Sequence, residues 1–236
     1  VSCVTGAHAS RIVTEPGGTH GVAKMVPGAD LAAASMFVLP AVGLNGVDMA
    51  NPRMGQKVVV HGVGLIGLGV VAACVNRGCE VIAVDLDDRQ LAIAEAMGAD
   101  HLINGSNEDV ARAVESLVPG GADVVFECSG IPACIDIAIP LCREHGTFVW
   151  QGNYGAEALE IHFLPAHGRR LKMFFPCDDG GPECRRAVVK QMAMGKLAWE
   201  NCVTHRISWQ EAPGLFRSIN QGGVSGTVGA VIKWSE

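Results

Sequence analysis

From residue 57 onward the chain alternates short β-branched runs with helix-length stretches, and Gly, Asp or Asn separates each pair. This alternation predicts an α/β fold with a parallel sheet. Strands are expected at 57–61, 80–85, 101–103, 123–127, 146–150 and 171–175, and helices at 65–77, 88–97, 108–117, 131–142 and 182–194. The strands are apolar on both faces, as Val58, Val59 and Val60 and again Val124, Val125 and Phe126 show, so helices should cover both sides of the sheet. Asp87 or Asp88 can cap the second helix, where Leu91, Ala94 and Met97 form a core stripe and Gly98 stops it. Asn107, followed by Glu108 and Asp109, favours a further helix start.

The two ends read differently. Residues 1–30 carry several glycines, Pro16 and Pro27, and β-like pieces at 11–14 and 22–26. The last forty residues predict a strand at 202–207, a helix at 209–220 and a strand at 227–234. Both ends are expected to form a second, β-rich unit interrupted by the central domain, which divides the chain into 1–40, 41–196 and 197–236. There is no internal repeat and no low-complexity tract.

Composition narrows the function. With 236 residues, 49% hydrophobic and 18% charged, the chain can bury a sizeable core and is not a disordered sequence. Its 18 basic and 24 acidic residues leave a formal charge of −6, and no run of Lys or Arg could track a phosphate backbone, so no nucleic-acid partner is expected. Nine cysteines at 3, 74, 79, 128, 134, 142, 177, 184 and 202 include no C-x-x-C pair, so neither a disulfide framework nor a four-cysteine zinc lobe is legible. The first residues lack the basic flank and apolar stretch of a signal peptide, which makes reduced thiols in the cytoplasm the expectation. Residues 58–75 carry no charge, but the glycines at 62, 64, 67 and 69 break them into strand, turn and buried helix, so no membrane span is expected.

The strongest chemical signal is a G-x-G-x-x-G at Gly62, Gly64 and Gly67, directly after a predicted strand and opening a helix at Leu65 and Ile66. Gly62 permits the tight turn, Gly64 lets the backbone approach a pyrophosphate, and Gly67 lets the helix lie on the strand. The helix N-terminus supplies unpaired N–H donors and partial positive charge. Asp85 ends the next strand, where its carboxylate can accept from an adenosine ribose and would repel a 2′-phosphate, so NAD is favoured over NADP. Arg89 could instead receive a phosphate, although in the acidic run after Asp87 and Asp88 it also reads as a plain helix-surface residue. Ligands of open α/β sheets sit beyond the carboxyl ends of the strands. Cys128, Ser129 and Gly130, and also Gln151, Gly152 and Asn153, occupy such ends and are candidate coenzyme contacts, with ordinary turn chemistry as the alternative.

With these residues in view, the chain resembles the medium-chain dehydrogenase/reductase superfamily, and within it the zinc-type alcohol and polyol dehydrogenases. The similarity is carried by residues 52–67, by 81–85, by the helix end at Met97, Gly98, Ala99 and Asp100, by 127–130 and by 204–207, and it runs from about residue 6 to the C-terminus. It implies a Rossmann-type doubly wound parallel sheet, with remnants of a β-rich GroES-like domain at both ends. The resemblance further implies NAD(H), a small-molecule alcohol or carbonyl substrate, and homo-oligomers. In such enzymes zinc polarises the alcohol oxygen while hydride passes to the nicotinamide.

The pattern is incomplete. The family's zinc-ligand cysteine, its Gly-His-Glu segment and its structural cysteine lobe have no counterpart here, and a further ligand would fall near Phe37, Val38, Leu39 and Pro40, none of which can ligate. Gln90 aligns where relatives place a basic residue against the ribose. Zinc is therefore expected only where the missing N-terminal domain is present, and no catalytic residue is assigned. The pairs His162 and His167, Cys202 and His205, and Cys177 and Cys184 are too few for a closed site by themselves. Two other readings stay open: a catalytically silent NAD-binding module, and a zinc-independent quinone or enoyl reductase of the same superfamily.

Overall fold

The structure, a computed structural model, describes residues 9–13, 22–222 and 226–234. It divides into two compact units, residues 39–180 and residues 1–38 with 181–236. The sequence reading placed the later boundary at 196, so the helix near 182–194 belongs with the chain ends instead of the central unit.

Ahead of the central sheet come two helices the hydrophobic pattern did not announce, α1 (Leu31–Ser35) and α2 (Val38–Ala50). The central unit then runs β1 (Lys57–His61), α3 (Leu65–Asn76), β2 (Glu80–Asp85), α4 (Asp88–Ala96), β3 (His101–Asn104), α5 (Val110–Leu117), β4 (Ala122–Glu127), α6 (Pro132–Ala138), β5 (Cys142–Trp150), α7 (Phe163–Gly168) and β6 (Lys172–Phe174). All six strands are parallel, in the order β3-β2-β1-β4-β5-β6. This is the doubly wound arrangement, in which the strand order reverses beside β1 and opens a crevice at the carboxyl ends of β1 and β4.

The central strands are buried because neither face meets water. Val58, Val59, Val60, Val81, Ile82, Ala83, Val125 and Phe126 are fully enclosed, and Ile103, Ile135, Ile139 and Phe148 complete the core. Helix α4 is capped as expected, with the Asp87 carboxylate accepting from the Arg89 N–H at 2.9 Å. Helix α5 is capped by Asp109, one residue after the expected acidic start, through the Arg112 N–H at 2.9 Å.

The expected helix over 131–142 is shorter than its pattern. Pro140 tightens its end into a 3₁₀ turn over Ile139–Leu141, and Cys142 already begins β5. A register shift between Ala122 and Val124 accompanies this early strand start, and His145 turns in the left-handed region with φ 57°. The expected strand at 171–175 shortens to β6.

The other unit contains α8 (Gly181–Ala193), β7 (Val203–Ser208), α9 (Ala212–Asn220) and β8 (Gly229–Lys233), with β7 and β8 paired in parallel. Here the β-rich expectation needs correction. Of the piece at 22–26 only Val22 makes a bridge, residues 11–13 lie in no element, and Thr14 is outside the described residues. The helix expected from 209 begins at Ala212, after a turn and with Pro213 in its first turn. Among the described residues, no helix is long and apolar enough to cross a membrane.

Candidate coenzyme site

The site is assembled where β1, β2, β4 and β5 end. After His61 the chain turns at Gly62, whose φ of 89° suits only glycine and whose N–H donates to the Val84 carbonyl at 2.8 Å. Helix α3 then lies so close that any Cβ on Gly67 would strike the Gly62 carbonyl oxygen. Gly64, at the N-cap of α3, is different. It is exposed, nothing lies within 4 Å of where its Cβ would be, and no side chain caps the helix. An uncapped helix start with an open, side-chain-free approach suits a pyrophosphate.

Asp85 is held in place by the same turn. Its Oδ2 accepts from the Val63 N–H at 2.8 Å, and its Oδ1 accepts from the N–H groups of Leu86 and Asp87 at 2.7 and 3.1 Å. The carboxylate thus ties the glycine-rich turn to the end of β2 while remaining partly exposed. Arg89 is engaged with Asp87, Nε to Oδ1 at 3.2 Å. Gln90 keeps a buried Oε1 that has no partner among the described residues. An orphaned buried acceptor and an open glycine cradle are what a bound dinucleotide would satisfy.

The ends of β4 and β5 meet beside this turn. A Cβ on Gly130, whose φ is 68°, would lie 2.9 Å from the Asn153 oxygen, and one on Gly152 would lie 2.6 Å from the Gly130 nitrogen. Cys128, Ser129 and Gly130 are therefore brought together with Gly152 and Asn153. Gln151 behaves differently from the other candidates. Only 4% exposed, it sends its Nε2 to the Val42 carbonyl at 3.1 Å and so anchors α2 instead of facing the crevice. Cys128 is a buried thiol whose pKa burial raises well above normal, so it stays protonated.

Under the turn lies a polar network that sequence reasoning missed. Glu127 is fully buried and pairs in register with His61, whose Nδ1 is 3.4 Å from Oε1. The same oxygen accepts from the Ser129 N–H at 3.1 Å and from the Ser129 hydroxyl, while Tyr154 donates its hydroxyl to Oε2. Burial pushes the Glu127 carboxyl up, but the bonds from His61, Ser129 and Tyr154 outweigh it and hold the group below the usual carboxylate range. Tyr154 moves the opposite way, raised by burial and by its bond to Glu127. The available signal was a glutamate closing an apolar strand, with the chain's one tyrosine downstream.

The histidines weighed for zinc are engaged elsewhere. His162 bonds Asp136 at 2.7 Å, His167 stacks on Phe163, and His205 meets the Thr204 hydroxyl at 3.0 Å. Residues 37–40 offer no ligand atom, so the family's catalytic zinc does not fit what this chain presents there.

Comparison with known proteins accords with this geometry. Residues 66–193, more than half of the chain, match the family model described as zinc-binding dehydrogenase. Sorbitol dehydrogenase 1 of Saccharomyces cerevisiae is 34% identical over 181 residues, which are 73% of this chain and 50% of that protein. The zinc-type alcohol dehydrogenase-like protein YdjJ of Escherichia coli is 29% identical over 76% of this chain and 52% of its own length. The chain thus spans about half the length of these curated relatives. Among solved structures, an Escherichia coli oxidoreductase/dehydrogenase of unknown specificity superposes with a TM-score of 0.81 at 25% identity, covering 90% of this chain and 60% of that one. A Sinorhizobium meliloti 1021 structure named as a zinc-binding dehydrogenase, bound to NADP, gives 0.77 at 27% identity, covering 88% and 61%. By its family match, its doubly wound sheet and its glycine-rich turn, the chain belongs to the zinc-binding dehydrogenases of the medium-chain dehydrogenase/reductase superfamily.

Proposed function

We propose that this chain is the coenzyme-binding part of an NAD(H)-dependent oxidoreductase acting on an alcohol or polyol and the corresponding carbonyl compound. The observation that carries this reading is the Asp85 carboxylate, clamped by three backbone N–H groups at the end of β2 beside the open Gly64 helix start. When bound, the nicotinamide coenzyme supplies the hydride chemistry. In this reading Gly62, Gly64, Leu65, Ile66 and Gly67 receive its pyrophosphate, and Asp85 and Gln90 receive the adenosine ribose. Ser129, Gly130, Gly152 and Asn153 line the crevice beyond β4 and β5. A fixed negative charge at Asp85 disfavours a 2′-phosphate, and Arg89 is already engaged by Asp87, so NAD is preferred to NADP.

The polyol class is supported by relatives named sorbitol dehydrogenase and D-xylulose reductase. Flanking GroES-like segments at the two chain ends, a homo-oligomer and a reducing, cytoplasmic setting belong to the same reading. Non-ligating residues at 37–40 favour a second reading, a module that binds NAD without turning over.

Fluorescence titration with NADH and NADPH tests the proposal. Tighter binding of NADH is expected, and Asp85→Ser should weaken NADH and narrow the gap to NADPH. A chain that binds neither, or prefers NADPH, overturns it. Turnover of polyols by this chain would eliminate the silent-module reading.

A further inference from the structure

Three side chains of metal-ligating chemistry converge under the glycine-rich turn: His61 at the end of β1, Glu127 at the end of β4 and Cys134 in α6. One ligand atom from each lies within 4.8 Å of the other two. We propose that this trio binds a divalent transition-metal ion of the zinc or cobalt class through an imidazole nitrogen, a Glu127 oxygen and the Cys134 thiolate. The site lies wholly within the central unit and uses no residue of the segment at 37–40.

Distance is the first argument. Tetrahedral zinc with bonds of about 2.0–2.3 Å keeps its ligand atoms roughly 3.3–3.8 Å apart. From separations within 4.8 Å, that contraction is about 1 Å, which side-chain torsions can supply. The donor set of one nitrogen, one oxygen and one sulfur suits zinc or cobalt better than magnesium or calcium, which take oxygen ligands.

Charge is the second. Glu127 is fully buried, and Ser129 and Tyr154 meet its carboxyl as neutral hydroxyl donors. Buried charges are paired or coordinate metals. His61 could pair only as an imidazolium, and its 3.4 Å separation exceeds the 2.7–2.9 Å typical of a charge-assisted N–H···O contact. An ion pair would also leave the adjacent Cys134 without a role. A metal ion uses all three groups, with a water completing the shell. Binding releases the thiol proton to solvent, and Cys134 is partly exposed, which gives both ion and proton a route. Ser129 and Tyr154 then hold the ligating carboxylate in position, as outer hydrogen bonds do around metals.

The experiment uses the full 236-residue chain, stripped with a chelator and titrated with cobalt(II), without coenzyme. One equivalent should produce a thiolate-to-cobalt charge-transfer band and tetrahedral d–d bands, and zinc should displace both. Cys134→Ser should abolish the charge-transfer band, while Cys177→Ser, at an exposed cysteine, should keep it. Tyr154→Phe should weaken the metal about 10-fold. Should Cys134→Ser not fold, His61→Asn provides the same test through loss of the tetrahedral spectrum. The proposal is overturned by the absence of a charge-transfer band, by its persistence in Cys134→Ser, or by a doubly protonated His61 ring in NMR that zinc leaves unchanged.

Discussion

Gly62 and Ser129 touch so closely that a Cβ added to Gly62 would sit 2.8 Å from the Ser129 nitrogen. One glycine thus joins the turn after β1 to the turn after β4, at the point where the strand order reverses. Gly62→Ala meets both this obstruction and a φ of 89°, and should cost about 1–3 kcal/mol. Gly64→Ala meets open space at a permitted φ of −65°, so it should leave the thermal midpoint nearly unchanged while weakening NADH. Parallel thermal unfolding and NADH titration of the two variants check this. Equal loss of stability in both would contradict the division of roles.

Glu127 makes acid stability a specific expectation. Its folded pKa is depressed, so the stability it contributes is complete above the unfolded value of about 4.3 and is lost as pH falls through the lower folded value. Glu127→Gln removes this titration. Urea midpoints of the native protein should therefore fall more steeply than those of Glu127→Gln as pH drops from neutrality below that value. Parallel curves would show that the carboxylate does not titrate in this way.

Helix α2 packs on α3 through glycine. A Cβ on Gly43 would lie 2.8 Å from both the Ile66 oxygen and the Val70 nitrogen, and one on Gly69 would lie 2.8 Å from Pro40 Cα. Alanine at an ordinary helix position is favoured over glycine, but Gly43→Ala should instead destabilise by about 1–3 kcal/mol through overpacking. Urea unfolding measures the sign, and a stabilised variant would refute the close contact.

Asp109 offers a control whose capping bond lies within α5 itself. Removing its cap in Asp109→Ala should cost about 1 kcal/mol of unfolding free energy and leave NADH affinity unchanged. A shifted NADH dissociation constant would tie α5 to the site.

The same residues explain what the chain's pattern could and could not disclose. The strands were most legible where β-branched runs, such as 58–60, 81–84 and 124–125, are followed by turn residues and a helix-length stretch, because local chemistry alone specifies that sequence of events. Helix α2 was not, because Pro40, Gly43 and Gly46 look like breakers one residue at a time. In the structure Pro40 lies in the first turn, where it is tolerated, and the two glycines admit neighbouring chain. Gly62, Gly64, Gly67 and Asp85 were legible because their spacing is itself the geometry of a strand-turn-helix. His61, Glu127, Tyr154 and Cys134 were not, since only the pairing of β1 with β4 and the placement of α6 bring them together. Gln151 looked like a crevice residue by position, yet its side chain is committed to α2.

Val58 pairs on one side with Val81 and on the other with Val124. During synthesis, β1 finds its first neighbour soon after leaving the ribosome but must wait for β2, β3 and their helices to emerge before β4 arrives. Such long-range parallel pairing is slow and leaves a strand edge open in the meantime. The order of strands that builds the crevice therefore also leaves one edge of β1 unpaired until residues 122–127 have been made.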